Sequence, residues 1–163
     1  MTISLQSPTQ IAWVTPDMTA TETALTGLLG VRKWVRIPGV HFAPDVCSYR
    51  GEPADFVADI SLSYLGDMQV ELITPVSGES IYSEFLRESG AGLHHVCVEV
   101  PTPGLFDASV LEAGATVVQQ GEMPGGLRFA YLADPGAGTS YVEIAYIPPE
   151  IRAFYDYIKQ EQR

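Results

Sequence analysis

Two stretches of the chain alternate apolar and polar residues with the period of a half-buried β-strand. In the stretch 92–100, the alternation places His95, Cys97 and Glu99 on one face and valines on the other. The stretch 56–65 alternates in the same way. A histidine on the polar face of such a strand can point into a cavity while the apolar face holds the strand to a core. The pattern therefore predicts two strands, one of which carries a candidate functional histidine.

The elements around the strand 92–100 repeat an order that is already present in the first half of the chain. Each half begins with a short strand that ends at a proline, continues with a helix that ends at a glycine, and then returns to strands. We predict an α+β fold of two tandem βαβββ modules, whose strands form a curved mixed sheet around a cup. The predicted units of this single domain, 1–163, are module one (8–75), a linker helix (79–90), module two (92–147) and a C-terminal helix (149–160).

Three further elements follow from local composition. The β-branched stretch 31–37 predicts a strand that Pro38 and Gly39 break. The segment 41–53 is rich in Pro, Gly and Asp, which predicts a long loop over one end of the sheet. The amphipathic C-terminal helix is expected to pack on the domain or on a neighbouring subunit.

Composition limits the class of protein and its partners. The 163 residues are 46% hydrophobic and 18% charged, which is typical of a folded domain. The net charge of −11 argues against nucleic acid and anionic membranes as partners. Two cysteines, the lack of a signal-peptide pattern at the start, and the lack of a window long enough to span a membrane predict a cytoplasmic protein.

Candidate chemistry comes from four residues at matching strand positions of the two halves: Gln10, Glu71, His95 and Glu143. If the sheet curves, all four can converge in the cup. One imidazole, two carboxylates and an amide oxygen suit one divalent transition metal (Zn, Co, Ni, Mn or Fe) with positions left open for water or a small-molecule substrate. Taken singly, Gln10 and Glu71 could equally be ordinary solvated residues.

Several motifs resemble those of the vicinal oxygen chelate superfamily, which includes glyoxalase I, methylmalonyl-CoA epimerase, extradiol dioxygenases and bleomycin-resistance proteins. They are the βαβββ duplication, Gly-Leu-His-His-Val at 92–96, Val-Glu-Leu-Ile-Thr-Pro at 70–75 and Tyr-Val-Glu-Ile at 141–144. The resemblance covers roughly residues 8–147 and is strongest to the epimerase branch. It places the metal ligands on Gln10, Glu71, His95 and Glu143, and it implies that His94 faces away from them.

Two residues depart from the epimerase pattern. Epimerase-like members usually have histidine where Gln10 stands and glutamine where Glu71 stands. The set of candidate ligands, Gln, Glu, His and Glu, resembles the zinc ligands of eukaryotic-type glyoxalase I. However, Val14 and Thr15 stand where that enzyme has a basic residue that holds glutathione. Extradiol dioxygenases use two histidines and one glutamate on iron, and Gln10 breaks that triad, so a dioxygenase ranks lower.

The resemblance implies a dimeric, metal-dependent isomerase, epimerase or lyase that forms an enolate or enediolate from a small carbonyl compound or acyl thioester. Glu143 is the first candidate for the catalytic base. Asp59 is the second, because its strand is expected to face the cup. The sequence leaves the roles of His41 and Arg128 open.

The main alternative is a metal-free protein that binds or sequesters a small molecule, as bleomycin-resistance proteins do. Aromatic residues could line the pocket of such a protein, although core packing explains them equally well: Trp13, Trp34, Phe42 and Phe56.

Overall fold

The computed structural model describes residues 7–163, which form ten strands and four helices. The strands are β1 (Gln10–Val14), β2 (Val35–Phe42), β3 (Cys47–Tyr49), β4 (Glu52–Pro53), β5 (Phe56–Leu65), β6 (Met68–Ser77), β7 (Gly92–Val100), β8 (Thr116–Glu122), β9 (Arg128–Ala133) and β10 (Tyr141–Tyr146). The helices are α1 (Met18–Leu29), α2 (Ile81–Ser89), α3 (Pro103–Glu112) and α4 (Pro149–Gln160). The predicted α+β fold is confirmed.

Local capping explains where the helices begin and end. The Asp17 side chain accepts a hydrogen bond from the backbone N–H of Ala20, and Gly30 ends α1 in the left-handed conformation with φ of 77°. Ser80 begins α2 with reciprocal hydrogen bonds to Ser83. These caps fix both ends of α1 and the start of α2.

All ten strands form one sheet in the order β2-β5-β6-β1-β7-β10-β9-β8-β3-β4. At its centre, β1 pairs parallel with β6 and antiparallel with β7, so the strands that begin the two halves of the chain are neighbours. Strand β10 pairs parallel with β7 on the other side. The parallel pairs β1–β6 and β7–β10 are therefore equivalent in the two halves, as the repeated order of elements predicts.

The sheet curls strongly, because β2 near one edge leads directly into β3 near the other. Only the residues 43–46 join these two strands, and five extended Cα–Cα steps span at most about 17 Å. The stacked rings of Phe42 and Phe56, with centroids 4.4 Å apart, meet Phe129 of β9 across the interior. The result is a half-barrel with a concave inner face.

The convex outer face of the sheet carries α1 and α3. Leu25 of α1 packs with Val70 and Leu72, and Phe106 of α3 packs with Ala130 and Ile144. Apolar residues at alternate positions of β6 and β10 thus face the helices, which leaves the intervening residues for the inner face.

The structure differs from the sequence expectation in the segment 31–53. Strand β2 begins at Val35 and continues through Pro38 and Gly39, because a register shift against β5 accommodates them. The predicted long loop 41–53 contains β3 and β4, and β3 pairs with β8 of the second half. These strands are two or three residues long and have no local signal of their own.

Candidate functional site

The register of the central strands brings four side chains together on the inner face; we call them the donor cluster, Gln10, Glu71, His95 and Glu143. On β1, Ala12 pairs with Glu71 on one side and with His95 on the other. On β7, Cys97 pairs with Gln10 on one side and with Glu143 on the other. Cross-strand partners point to the same face of the sheet. The four donors therefore surround Ala12 and Cys97, whose short side chains leave room for them.

The imidazole of His95 is the centre of the donor cluster. Its Nε2 atom lies 3.0 Å from Oε1 of Gln10, 3.5 Å from Oε1 of Glu71 and 3.4 Å from Oε1 of Glu143. The imidazole is fully buried, whereas the side chains of Glu71 and Glu143 are 13% and 11% exposed. The carboxylates therefore stand between the buried ring and the space of the cup.

A neighbouring amide fixes the orientation of Gln10. Its Nε2 donates a hydrogen bond to Oε1 of Gln69 at 2.6 Å, and Nε2 of Gln69 donates to the Tyr64 hydroxyl at 3.2 Å. Because the amide nitrogen is used in this way, the amide oxygen of Gln10 is presented to His95.

The two carboxylates control the protonation of His95. Burial alone would lower its pKa, but hydrogen bonds and charge from Glu143 and Glu71 outweigh burial and raise the pKa to about 9. Burial raises the pKa of Glu71 above its ordinary value, and the charge of Glu143 adds to this, although His95 opposes it. In the donor cluster, a protonated His95 imidazole therefore forms ion pairs with Glu71 and Glu143.

His94 does not face away from the donor cluster, which corrects the expectation. A register shift between β1 and β7 leaves His94 without a pairing partner on β1, and its Nδ1 lies 2.8 Å from Nδ1 of His95. Burial, together with the positive charge of His95, lowers the pKa of His94 well below its ordinary value. His94 is therefore neutral and accepts the Nδ1–H of His95, which orients the ring.

The donor cluster fits a divalent metal by the chemistry of its donors, an imidazole, two carboxylates and an amide oxygen. Atoms bound at about 2.0–2.2 Å to one ion lie about 3–3.5 Å from each other, which is the separation of the three oxygens from Nε2 of His95. Within residues 7–163, no three His, Cys, Asp and Glu side chains are already arranged as a metal site. In this arrangement the Nε2–H of His95 donates to Oε1 of Gln10, and the carboxylates pair with the charged ring, so a metal would replace the proton on Nε2.

The donor cluster lies at the base of a cavity of about 540 Å³ on the inner face, in the range of small-molecule sites. Its floor includes Cys97 and the tyrosines Tyr82 and Tyr131, whose hydroxyl oxygens lie 2.6 Å apart. Burial raises the pKa of both tyrosines well above the ordinary value, so they stay protonated. One hydroxyl donates to the other, which leaves a second hydroxyl hydrogen for a ligand.

Asp59 lies on the opposite face from the donor cluster, which corrects the expectation that its side of the strand faces the cup. Ile60 lines the cavity, so Asp59, one residue earlier on β5, points to the convex side. There its carboxylate accepts the backbone N–H of Gly39 at 2.8 Å. Ser61, on the same side as Asp59, bonds to Glu22 of α1.

Two other residues considered from the sequence fall at the margin or outside the cavity. His41 lies on β2 at the rim, and its Nε2 is 2.6 Å from a carboxylate oxygen of Asp55. Arg128 pairs with Asp107 and stacks over the ring of Phe106, on the convex side beside α3.

Of the aromatic residues suggested for a binding pocket, Phe42 lines the cavity. Trp13 and Trp34 pack beside α1, and Phe56 belongs to the core beneath Phe42.

The sequence did not indicate that α4 is part of the cavity. Ile151, Phe154 and Tyr155 of this helix line the cavity, and Ile158 is buried against Leu62 and Tyr64 of β5. The only signal was the amphipathic pattern of the helix, which does not identify the surface that its apolar side covers. The helix packs on its own domain and across the cup.

A family profile described as the Glyoxalase/Bleomycin resistance protein/Dioxygenase superfamily matches residues 9–131. The chain belongs to this superfamily, the vicinal oxygen chelate superfamily. The match ends before β10, which carries Glu143, and before α4. Among curated proteins, none matches this sequence.

Solved structures with the same fold include a hypothetical protein from Bacillus halodurans C-125, at 20% identity and a TM-score of 0.62, covering 86% of this chain and 94% of that one. The methylmalonyl-CoA epimerase from Mycobacterium tuberculosis is 15% identical with a TM-score of 0.57, covering 90% and 91%. A variant of the Streptomyces coelicolor methylmalonyl-CoA epimerase, in complex with 2-nitronate-propionyl-CoA, is 14% identical with a TM-score of 0.58, covering 86% and 94%. At these sequence identities, the similarity to the solved structures shows a shared fold alone.

No helix in the part of the chain that the structure describes is long and apolar enough to cross a membrane.

Proposed function

We propose that this protein is a metal-dependent epimerase or isomerase, or a related lyase, that removes a proton next to a carbonyl group of a small molecule. One observation carries the proposal: an imidazole, two carboxylates and an amide oxygen converge at the base of a largely apolar cavity. The membership of the chain in a superfamily of this architecture supports it.

Each residue of the donor cluster has a role in this proposal. Gln10, Glu71, His95 and Glu143 would hold one divalent transition metal: Zn, Co, Ni, Mn or Fe. When bound, the metal would act as a Lewis acid that stabilises negative charge on the substrate oxygens. His94 orients the ring of His95, and Gln69 orients the amide of Gln10. All four donors come from one chain, so a second copy is not needed to complete the cluster.

Glu143 is the proposed proton acceptor. Its carboxylate is partly exposed to the cavity, and its place on β10 puts it beside Cys97 and Tyr131 of the cavity floor. A carboxylate that accepts the α-proton and returns it to the other face or to another atom gives epimerisation or isomerisation. The paired hydroxyls of Tyr82 and Tyr131 can donate one hydrogen bond to a substrate oxygen.

The proposal is tested with two matched variants, Glu143→Gln and Glu71→Gln, since glutamine keeps an oxygen donor but cannot accept a proton. Metal content is measured by elemental mass spectrometry, and exchange of α-protons of carbonyl compounds in D₂O is measured by NMR. We expect Glu143→Gln to lose about 100-fold or more in exchange rate, and Glu71→Gln to lose less than about tenfold. The reverse order would exclude Glu143 as the proton acceptor.

Metal binding has its own control. His95→Ala should abolish uptake of zinc, cobalt, nickel, manganese and iron, whereas His41→Ala, which removes the rim histidine, should not change it. Failure of the wild-type protein to take up any of these metals would refute the metal-dependent mechanism.

The alternative is a metal-free protein that binds a small molecule. It is favoured by the largely apolar lining of the cavity, which includes Phe42, Phe129 and Phe154. If Glu143→Gln leaves metal content and ligand affinity unchanged, this binding function replaces the enzymatic one. A dioxygenase remains the weaker candidate, because His95 is the only histidine of the donor cluster.

The expected homodimer is also part of the proposal. Sedimentation analysis of the full chain would give its mass in solution, and a monomer at all accessible concentrations would contradict it.

A further inference from the structure

The wall of the cavity is apolar above the donor cluster. Its members come from opposite ends of the sheet and from α4, and they include Ile37, Val40, Phe42, Leu127, Phe129 and Phe154. Apart from His41 of β2, the ionisable acidic and basic side chains of the lining are carboxylates on the central strands β6, β7 and β10, namely Glu71, Glu99 and Glu143. A ligand that reaches the floor with one polar end would therefore place the rest of its body against hydrocarbon and aromatic surface.

No lysine or arginine lines the cavity in the described part of the chain. Arg152, on α4, lies close to the cavity but pairs with Glu99, which also accepts a hydrogen bond from Thr9 at 2.5 Å. At the rim, His41 is paired with Asp55. An anionic group on a ligand would therefore meet carboxylates and apolar surface and no free cation, which disfavours its burial.

A bound divalent metal would leave the floor of the cavity without a net positive charge. Its two positive charges would be matched by the carboxylates of Glu71 and Glu143. Only the atoms in direct contact with the metal would be stabilised, and an additional anionic group elsewhere on the ligand would remain unpaired.

The apolar wall contributed by α4 is anchored at both ends of the helix. Arg152 pairs with Glu99 of β7, and Lys159 pairs with Asp67 in the turn after β5 at 2.5 Å. Ile158 is fully buried between them. Ile151, Phe154 and Tyr155 of this helix form one wall of the cavity.

We infer that the ligand of this cavity is an uncharged, largely apolar carbonyl compound, with the carbonyl at the donor cluster and an apolar or aromatic body against β2, β9 and α4. The assignment of a carbonyl group to the ligand rests on the proposed function. The preference for an uncharged, apolar body rests on the lining of the cavity alone. An acid or thioester that must bury a free carboxylate is disfavoured.

The test uses a matched pair of aromatic ketones that differ in one charge, methyl 4-acetylbenzoate and 4-acetylbenzoate. Their dissociation constants are measured by NMR titration of the full-length protein, both metal-free and loaded with zinc. We expect the ester to bind at least about tenfold more tightly than the carboxylate in both states, since an unpaired buried charge costs more than a neutral ester. Equal or tighter binding of the carboxylate, or binding of neither compound at millimolar concentration, would overturn the inference.

A variant that adds one positive charge tests whether the preference is set in the cavity. Met123→Arg places a cation on the cavity wall, whereas Leu111→Arg places the same charge on α3, where Leu111 is 84% exposed and outside the cavity. We expect Met123→Arg to reduce the preference for the ester by at least about tenfold and Leu111→Arg to leave it unchanged. The same change in both variants would mean that net charge, and not the cavity, sets the preference.

The binding measurement also separates this inference from the proposed function. If the ester is preferred but the zinc-loaded protein exchanges no acetyl protons with D₂O, the inference stands and the enzymatic proposal loses support. If protons exchange but the carboxylate is preferred, the enzymatic proposal stands and the inference fails.

Discussion

At the scale of single residues, the protonation of His95 links the metal-free and metal-bound forms of the site. The carboxylates that would bind a metal also raise the pKa of this buried imidazole to about 9, although burial opposes them. A metal that coordinates Nε2 must displace the proton from this atom. Protons and metal therefore compete for the same position.

We predict that metal binding releases about one proton per chain at pH 7 and that the apparent affinity rises about tenfold per pH unit up to about pH 9, where His95 loses its proton. Calorimetry with zinc in buffers of different ionisation enthalpy counts the protons. His41→Ala should release the same number as the wild-type protein. An affinity that does not change between pH 7 and pH 9 would contradict the ion pair between His95 and the carboxylates.

The same ion pair affects the stability of the metal-free fold. The pKa of His95 is higher in the folded protein than the ordinary value of 6.5, so its stabilising contribution is complete below about pH 6.5 and is lost as the pH rises through about 9. We predict that the melting temperature of the metal-free protein falls over this range. A zinc-saturated sample, in which the proton is already displaced, should show a smaller fall.

What the sequence could predict about single residues depended on the repeat. Gln10, Glu71, His95 and Glu143 stand at matching positions, and the structure brings them together because equivalent strands pair at the centre of the sheet. Asp59 had no such match, and its assignment required the face of a strand to be known. The alternation in β5 gives two faces but does not say which one α1 covers.

At the scale of elements, α4 completes the cavity with a single fully buried anchor. Ile158 packs against Leu62 and Tyr64, whereas its neighbour Tyr157 is 54% exposed. The apolar contacts of Ile158 hold the helix on the sheet, and the ion pairs at its ends are exposed or partly exposed and contribute less.

We predict that Ile158→Ala lowers the free energy of unfolding by about 2–5 kcal/mol, because it leaves a cavity beneath α4. It should also speed hydrogen exchange in α4. The matched variant Tyr157→Ala should change the free energy of unfolding by less than about 0.5 kcal/mol. Urea denaturation and amide exchange measure the two effects, and equal losses in the two variants would show that α4 is not held through Ile158.

The elements that the sequence could predict were those with long periodic patterns. Strands β5 and β7 and the helices α1 and α2 have local signals, namely alternation, caps and helical spacing. Strands β3 and β4 are two or three residues long and exist because β3 pairs with β8, about seventy residues later in the chain. Tertiary pairing of this kind cannot be recognised from a segment rich in Pro, Gly and Asp.

At the scale of the whole molecule, the two halves of the chain share strands and interlock. The repeated order of elements predicts two equivalent modules, but the structure adds two connections between them. Strand β1 of the first half pairs with β7, and β3 of the first half pairs with β8. The inner core likewise contains Phe42 and Phe56 from the first half and Phe129 and Tyr131 from the second.

This sharing predicts that the chain unfolds as one cooperative unit. Both tryptophans, Trp13 and Trp34, lie in the first half beside α1, so their fluorescence reports on that half, whereas far-UV circular dichroism reports on all elements. We expect both signals to give the same midpoint in urea. A lower midpoint by fluorescence would mean that the first half unfolds independently.

A substitution where β3 meets β8 gives the sharper test. A Cβ atom at Gly121 would lie 2.5 Å from Sγ of Cys47 and 3.1 Å from the carbonyl oxygen of Val46, so Gly121→Ala must displace the buried Cys47 side chain and strain the contact between β3 and β8. At Gly92, by contrast, a Cβ atom meets nothing within 4 Å, which makes Gly92→Ala the matched control. Because the halves interlock, Gly121→Ala should lower the fluorescence and circular dichroism midpoints together, even though both tryptophans are remote from the substitution in the sheet order. A fluorescence midpoint that stays at the wild-type value while the circular dichroism midpoint falls would show that the two halves are independent units.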